Sequence, residues 1–391
     1  MYKVHSMLLE NKILERTTLV QREQISPRHW LITIGFPYGS QVKLNPGDHV
    51  YIFPENDPIL VDEVSKRLIR VSPRKVEWKN SCIPASTAKT ALTKYLDLTA
   101  TPTAEQIEQW ISFTNDEKER RLLQCFIHRK QSWKRFWSKN QTFNQWSALG
   151  KPNILDFLLL FPNLRIPINF FVSTMKKMLP RTYSVAHAGC KSLRINSKHY
   201  LVTDLVFELV VHTNAQTAQT IHNGICSGFL TSLPIGHRFI SFKFQNELFK
   251  LPQDLNIPLL MISTGSAIAP FRGFWKHKVA QECNNLKLDW LYFGCRNEEE
   301  ALFYDEASFH VNVRIAFSRK KGMKKSYVQD LLKQDEIHIY NLIVNQQDNV
   351  YICGRTAMVS DVEATLNTIV GPVANVKALK SNGKLMTEHF G

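Results

Sequence analysis

Residues Leu259–Trp275, LLMISTGSAIAPFRGFW, are the most informative segment of the chain for its fold. An apolar run ends in the small residues Ser263–Ala267, and Pro270 then opens a helical pattern. A buried strand, a turn of small residues and a helix N-terminus together present backbone N–H groups and a positive dipole end to an anion. Open α/β sheets hold the pyrophosphate of a dinucleotide in this way. A plain structural turn gives the same local pattern, so the prediction depends on the rest of the chain.

A strand–helix rhythm after residue 251 predicts a parallel sheet. Four apolar runs alternate with helical patterns at about 270–283, 326–344 and 357–370. These runs are Pro258–Ile262, Asp289–Phe293, Val311–Phe317 and Asn349–Cys353. Continuous apolar strands between helices are typical of a parallel sheet that is covered on both faces. We therefore predict a doubly wound α/β domain over 251–391.

The chain before residue 251 has two characters. Short β-rich runs with turn signals between them occupy about 13–55 and resume from Arg181 to about 250, which predicts an antiparallel barrel or sandwich. Helical periodicity fills most of the region between them, with helix N-terminal signals such as Thr101-Pro102-Thr103. We predict a β domain over 1–57 and 179–250, interrupted by a helical insertion at 58–178.

Bulk composition limits the function classes. The chain has 391 residues, enough for two or three domains, and no apolar run approaches the roughly 20 residues of a membrane helix. Its seven cysteines lack CxxC or CxxxC spacing, so we expect no metal site, no disulfide framework and a reducing, cytosolic setting. The net charge of +15 favours nucleic acid, an acidic protein or a phosphate-bearing cofactor as partner. No nucleic-acid-binding module accompanies basic clusters such as Lys134-Arg135, so we expect no nucleic-acid partner.

Two segments of the β region carry residues suited to a flat, phosphate-bearing ligand. Arg181 and Tyr183 would share one face of a strand, where the Arg could hold a phosphate while the ring stacks on a heterocycle. Ser184 could then hydrogen-bond the edge of that heterocycle. His222–Leu230 places small residues before a helical start and could hold a second pyrophosphate. An ordinary strand and an ordinary helix cap are the alternative interpretations.

Two further segments lie at predicted strand ends of the α/β domain. Phe317-Ser318-Arg319 ends one strand, and Lys324–Gln329 follows a short basic loop. A hydroxyl, an Arg, a Lys and a Tyr at that edge suit a dianionic phosphate, which favours NADP over NAD; a solvated basic loop is the alternative. Tyr351–Gly354 ends the last predicted strand and Glu388–Gly391 ends the chain. A thiol, a carboxylate and an aromatic ring there could frame a hydride-transfer site, although Cys353 alone would more often be a core residue.

Taken in order, these segments resemble the ferredoxin–NADP reductase-like FAD/NADPH module of the diflavin reductase family. That family carries RxYS, G[VI][CA][ST], TGxxIAPFR, FGCR, [FY]SR with KxYVQ, and YVCG. The corresponding segments are Arg181–Ser184, Gly224–Ser227, Thr264–Arg272, Phe293–Arg296, Phe317–Arg319, Lys325–Gln329 and Tyr351–Gly354. The phrases PGDHVYIFPEN, YLDLTATPT, IHNGICS and HFG are most similar to the reductase part of nitric oxide synthase. The resemblance covers about 15–391 and implies an antiparallel FAD-binding β-barrel with a helical insertion, followed by a doubly wound NADP-binding domain.

The resemblance implies FAD and NADPH as cofactors and roles for the matching positions. Around FAD these are Arg181 on a phosphate, Tyr183 stacked on the isoalloxazine, Ser184 near N5, and Gly224, Ile225, Cys226 and Ser227 at the pyrophosphate. Around NADPH they are Gly265, Ser266 and Arg272 along the pyrophosphate and nicotinamide passage, Gly294, Cys295 and Arg296 along the nucleotide, and Ser318, Arg319, Lys325, Tyr327 and Gln329 at the 2′-phosphate. The implied catalytic group is Ser184, Cys353, Glu388 and Phe390, with Phe390 shielding the flavin and moving aside for the nicotinamide.

Several positions depart from the family pattern. Ser263 and Ala267 stand where glycine is usual, Arg355 stands where an acid is usual, and Glu388 replaces the commoner Asp. We expect no FMN-binding, calmodulin-binding or haem region before residue 1 and no regulatory tail after Gly391. The expected function is an NADPH-oxidising flavoprotein reductase that passes electrons to an FMN domain or a haem protein. The alternative is a truncated, non-catalytic relative that modulates a full-length synthase by association.

Overall fold

The computed structural model describes most of the chain. The described residues are 14–40, 42–69, 86–128, 143–148, 152–187, 192–195, 198–213, 221–283, 285–371 and 373–390. Lys134-Arg135 and the terminal Gly391 lie outside them. The chain divides into two compact units. The first comprises the described residues of Met1–Ile52, Thr182–Glu208 and Leu233–Gly391, and the second those of Phe53–Arg181 and Leu209–Ser232.

Six antiparallel strands close into a barrel. They are β1 (Glu15–Gln24), β2 (His29–Pro37), β3 (His49–Phe53), β6 (Arg181–His187), β8 (Lys198–Glu208) and β11 (Arg238–Phe244). Their order is β2-β1-β11-β3-β6-β8, and β2 also pairs with β8 from His29↔Glu208 to Pro37↔Tyr200. A short strand, β7 (Ser192–Ile195), extends beyond β8. Because the ring closes, these six strands form a barrel rather than a sandwich.

The second unit is mainly helical. Its helices are α1 (Pro58–Arg67), α2 (Ala88–Thr90), α3 (Ala104–Trp110), α4 (Glu117–His128), α5 (Phe143–Ala148), α6 (Ile154–Leu160), α7 (Ile168–Thr174) and α8 (Ile225–Ser232), and its short strand pairs are β4 (Leu68–Ile69) with β5 (Ile166–Pro167) and β9 (Val211–Thr213) with β10 (Ile221–Asn223). Thr103 caps α3 in a reciprocal capping box with Gln106, where the sequence predicted a helix start. Trp110, Phe157 and Phe171 pack together in its core.

Five parallel strands form the second sheet of the first unit. They are β12 (Leu259–Thr264), β13 (Trp290–Cys295), β14 (Asn312–Phe317), β15 (Asn349–Arg355) and β16 (Leu385–Phe390). Their order is β14-β13-β12-β15-β16, so the strand order reverses between β12 and β15. Leu259 and Met261 pack into one core while Leu260 and Ile262 pack into another. Both faces of the sheet are therefore covered, and the predicted barrel and doubly wound sheet are confirmed.

Helices of this second sheet connect its strands. They are α9 (Ala269–Ala280), α10 (Tyr304–His310), α11 (Val328–Gln334), α12 (Glu336–Tyr340), α13 (Thr356–Val370) and α14 (Val376–Ser381). The helix predicted at 326–344 is interrupted at Asp335, because its carboxylate accepts hydrogen bonds from the Tyr292 hydroxyl at 2.9 Å and Arg314 Nε at 3.0 Å. Strand β16 was not predicted, because LMTEHF at the sheet edge lacks a continuous apolar run. Within the described ranges, no helix combines the length and the apolarity needed to cross a bilayer.

Candidate active site

The turn after β12 lies at the point where the strand order reverses. Gly265 adopts φ of +55°, a conformation that favours glycine, and a 3-10 turn over Gly265–Ile268 leads into α9. The end of β15 approaches this turn closely, since a Cβ on Gly354 would lie 3.3 Å from Thr264 Oγ1. Open α/β sheets bind their ligands at this position, so the geometry fits the predicted NADPH pyrophosphate site.

The two residues that stand where the family usually has glycine, Ser263 near the end of β12 and Ala267 in the turn, point inward. Ser263 is fully buried and Ala267 is 3% exposed, packed in the core that also contains α9. Their side chains therefore add no bulk to the turn surface where a pyrophosphate would approach.

Four buried polar side-chain atoms lie at the carboxyl ends of the strands. Among the described residues, Ser263 Oγ, Asn297 Oδ1, Ser326 Oγ and Glu388 Oε2 are buried and have no hydrogen-bond partner. Ser263 and Glu388 lie near the ends of β12 and β16, and Asn297 and Ser326 follow β13 and β14. Buried polar groups are normally satisfied. A dinucleotide, which brings both donors and acceptors, fits the atoms of Asn297, Ser326 and Glu388, whereas Ser263 faces the interior.

A carboxylate, a hydroxyl, a thiol and an imidazole meet where β15 and β16 end. Cys353 lies opposite Glu388 in the parallel register. The Ser184 hydroxyl donates to Glu388 Oε1 at 3.2 Å, and His49 Nε2 contacts the same oxygen. Burial, and then the charge of Glu388, raise the pKa of the Cys353 thiol well above its usual range, so the thiol is neutral. This group can exchange protons and hydrogen-bond a reacting ring without offering a thiolate nucleophile.

His49 was not among the predicted site residues. It lies at the start of β3 within the phrase PGDHV, and its ring stacks on Phe244 with centroids 6.2 Å apart. This segment predicted a turn and a strand, but only the tertiary fold brings the His49 imidazole to Glu388.

The two predicted flavin-stacking rings belong to different strands of the first unit. Tyr183 on β6 meets the edge of Phe207 with centroids 5.9 Å apart. Phe390 on β16 is 39% exposed and lies opposite Arg355 in the register of β15 and β16. A flavin between Tyr183 and Phe390 stays a prediction.

The predicted 2′-phosphate residues lie just beyond β14 and at the start of α11. The backbone N–H and the hydroxyl of Ser318 both donate to the Cys295 carbonyl, at 3.0 and 3.2 Å. The Arg319 side chain is exposed, and Lys325 Nζ lies 4.8 Å from the Tyr327 ring centroid. Gln329 Nε2 donates to Asp361 Oδ2 at 3.5 Å. An exposed arginine and an exposed lysine that contacts a tyrosine ring suit a dianionic phosphate.

Other predicted NADPH residues have protein partners. Gly294 lies opposite Thr264 on the neighbouring strand. The Cys295 thiol donates to the Asn297 carbonyl at 3.3 Å, and burial raises its pKa to about 12. Arg296 Nη1 lies 3.8 Å from Glu300 Oε1.

Arg272 is committed to an ion-pair network. It is 5% exposed, bonds Asp204 at 2.9 Å and Glu306 at 3.1 Å, and lies 4.5 Å from the Phe303 ring centroid. A direct contact between Arg272 and NADPH would require these bonds to be exchanged.

The predicted FAD phosphate residues Arg181 and Gly224–Ser227 belong to the second unit. Arg181 Nη1 donates to the Leu179 carbonyl at 2.6 Å, and its Nη2 lies 3.6 Å from Asp97 Oδ2. The Gly224 amide donates to the Val210 carbonyl at 2.7 Å, while Ser227 Oγ accepts from the Val210 amide at 3.2 Å. These bonds fix the start of α8, where Ile225 and Cys226 open the helix and first-turn amides lack intrahelical partners. Anion binding there stays a prediction.

Comparison with known proteins gives consistent matches. A family model described as FAD binding domain matches residues 31–229, and one described as Oxidoreductase NAD-binding domain matches residues 261–364. Inducible nitric oxide synthase of Sus scrofa is 28% identical over 372 residues, which cover 88% of this chain and 30% of that protein. Nitric oxide synthase of Anopheles stephensi is 28% identical over 359 residues, covering 84% of this chain and 27% of that protein. The chain thus spans less than a third of the length of these two relatives.

A third relative is shorter. Inducible nitric oxide synthase of Oryctolagus cuniculus is 27% identical over 399 residues, covering 95% of this chain and 76% of that protein. The two family models confirm FAD and NADPH as the cofactors of an NADPH-dependent flavoprotein reductase module. With the fold and the matches in agreement, the chain belongs to the diflavin reductase family and is similar to the reductase part of nitric oxide synthase.

Proposed function

We propose that this chain oxidises NADPH and passes the electrons to an FMN domain or a haem protein, as the reductase part of nitric oxide synthase would. When bound, the cofactors supply the redox chemistry: NADPH gives a hydride to FAD, a proton is taken up, and the two electrons leave singly. The protein binds, orients and shields these groups. In this proposal residues 1–57 and 179–250 form the FAD-binding barrel, 58–178 the connecting insertion and 251–391 the NADP-binding domain.

The catalytic part of the proposal depends on the cluster of side chains around Glu388. Ser184 and Glu388 are hydrogen-bonded to each other and can position the reacting ring and hold a proton next to it. The neutral thiol of Cys353 is fully buried beside them and excludes water from that space. Phe390, exposed at the sheet edge, can cover the flavin and give way to the nicotinamide.

The single observation that supports this function best is the convergence of unpartnered polar atoms and Gly265 at the carboxyl edge of the parallel sheet. The nearby cations Arg319 and Lys325 select a ligand with an extra phosphate, which favours NADPH over NADH. The net charge of +15 also suits docking of an acidic electron-accepting domain.

The test is a reductase assay on the purified chain. We expect a yellow protein that reduces ferricyanide with NADPH and far more slowly with NADH. Because ferricyanide accepts single electrons from reduced flavin, the assay does not depend on the natural acceptor. A preparation that stays colourless after addition of FAD would contradict the proposal.

A second candidate function rests on Arg355. Its side chain is exposed and lies opposite Phe390 in the sheet register, so a cation stands beside the predicted nicotinamide site. If this cation hinders nicotinamide binding, the chain would act by associating with a full-length synthase and modulating it. Co-purification with such a synthase, together with negligible NADPH oxidation, would support this alternative. Robust NADPH turnover with a well-bound flavin would remove it.

A further inference from the structure

His29 is a buried imidazole at the start of β2 that the predicted function does not use. It is 2% exposed, and burial lowers its pKa to about 4, so the ring is neutral at physiological pH. A neutral histidine carries one N–H, and the position of that proton decides what the ring can bind.

The hydrogen bonds of the neighbouring Ser26 indicate which ring nitrogen of His29 carries the proton. Ser26 Oγ accepts hydrogen bonds from the backbone amides of His29, at 3.1 Å, and Arg28, at 3.4 Å. These two bonds use both lone pairs of the hydroxyl, so its own proton donates to His29 Nδ1, 2.8 Å away. The imidazole proton therefore lies on Nε2, which becomes a donor.

The Nε2 atom faces the turn after β12. A Cβ on Gly265 would lie 3.6 Å from it, so the ring edge borders that turn at ordinary contact distance. Among the described residues, Nε2 is buried and has no hydrogen-bond partner. A buried donor without an acceptor is costly unless a ligand completes it.

We infer that His29 Nε2–H is a ligand-binding donor for the diphosphate of NADPH, reaching from the barrel to the Gly265 turn. This inference rests on the proposed NADPH site and adds a contact that the family motifs do not contain. A single neutral donor fits a phosphate oxygen already held by backbone amides, since it adds a directed bond without a charge. The other ring nitrogen stays locked by Ser26, so the donor is fixed in place before the ligand binds.

The experiment compares two ligands that share the adenosine 2′-phosphate but differ in the diphosphate. Binding of NADP+ and of 2′-AMP is measured by calorimetry on the flavin-loaded protein for wild type, His29→Leu, His29→Gln and the control His277→Leu. Leucine removes the donor, whereas the glutamine amide can present an N–H near the place of Nε2. His277 is a half-buried histidine of α9 that is not part of the proposed site.

We expect His29→Leu to weaken NADP+ binding about tenfold to a hundredfold, the usual loss for a hydrogen bond to a charged group. Binding of 2′-AMP and the flavin content should stay unchanged. His29→Gln should recover much of the NADP+ affinity, and His277→Leu should match wild type. A thermal unfolding curve on each variant shows whether it is folded.

Two failures are distinguishable. If folded His29→Leu binds NADP+ as tightly as wild type, or loses NADP+ and 2′-AMP affinity equally, the inference is wrong and the NADPH site stands. If wild type binds neither ligand, the proposed function itself is wrong.

Discussion

The two edges of the parallel sheet bury polar groups in different ways. At the amino edge, Lys278 Nζ bonds both oxygens of Asp289, at 2.9 and 2.8 Å, and the Leu259 amide donates to the same carboxylate at 2.9 Å. Both members of this ion pair are fully buried. At the carboxyl edge, Asn297, Ser326 and Glu388 keep polar atoms without partners among the described residues. The Lys278–Asp289 pair is satisfied within the protein, whereas the atoms at the carboxyl edge are available for the ligand that we propose there.

An unpartnered buried atom alone does not identify a binding site. Asp348 at the amino edge also has two buried carboxylate oxygens without partners in the described part of the chain. Burial, and then the charge of Asp289, raise its pKa to about 6, so protonation can relieve it. The carboxyl edge differs because its unpartnered atoms accompany exposed cations and a strand-to-helix turn at the point where the strand order reverses. Several independent features must coincide before a ligand is inferred.

The largest expected effect concerns the Lys278–Asp289 ion pair at the amino edge. Lys278→Met would leave Asp289 as a buried carboxylate without its cation, and we expect a loss of about 3–5 kcal/mol in the free energy of unfolding. Urea unfolding followed by circular dichroism measures this. The control Lys276→Met, a partly exposed cation on the same helix that lies 3.8 Å from Glu306, should lose less than about 1 kcal/mol. Equal losses in both variants would mean that the closed ion pair is not what holds this edge.

The next effect addresses the carboxyl edge and should spare stability. Arg319→Ala removes an exposed cation, and we expect the preference for NADPH over NADH, measured as the ratio of kcat/KM values, to fall about tenfold to a hundredfold. The unfolding curve should not move. Lys321→Ala is the control, an exposed neighbouring cation outside the predicted phosphate site. A preference that survives in Arg319→Ala, or falls equally in Lys321→Ala, would contradict the assignment.

A smaller effect of opposite sign concerns Asp348. Its pKa of about 6 in the folded state lies above the roughly 3.9 of an unfolded chain, so the folded protein binds the proton more tightly. Stability is therefore lost as pH rises from about 4 to 6, and the cost is complete above 6. We expect Asp348→Asn to raise the free energy of unfolding by about 1–2 kcal/mol at pH 8 and by little at pH 4.5. A gain that is the same at both pH values, or a loss at pH 8, would refute this explanation.

The smallest effect compares one glycine from each edge. Gly265 and Gly383 both have positive φ, at +55° and +65°, so alanine at either position should cost about 1 kcal/mol of stability. Only Gly265→Ala should also weaken NADP+ binding, because only that turn faces the proposed ligand. Calorimetric titration of both variants decides this, and an equal loss of NADP+ affinity would show that the effect comes from strain rather than position.

Local pattern was enough to predict much of the carboxyl edge. The apolar run and small residues of Leu259–Trp275 predicted a strand, a turn and a helix, and the structure has β12, the Gly265 turn and α9 there. The basic stretch after β14 was likewise visible in the sequence, and phosphate binding there stays a prediction. Such features depend on residues close in sequence, so periodicity and turn chemistry are sufficient.

Long-range contacts were beyond the sequence. The contact of His49 with Glu388 joins residues more than 300 positions apart, and the pairing of Cys353 with Glu388 depends on the register of β15 and β16. The burial of Ser263 and Ala267 also depends on which face of the turn meets α9. Asp335 ended a predicted helix because its carboxylate bonds side chains on two neighbouring strands. Each of these results from tertiary packing that no local pattern encodes.

Anaerobic titration of the flavin-loaded protein with NADPH tests whether the bound nicotinamide reduces the flavin. If the carboxyl edge of the parallel sheet binds NADPH and presents it to the flavin, the visible flavin absorbance should bleach with about one equivalent of NADPH, and NADH should act only at far higher concentration. Bleaching by dithionite but not by NADPH would contradict this prediction, because a reducible flavin would then be present without a working nicotinamide site.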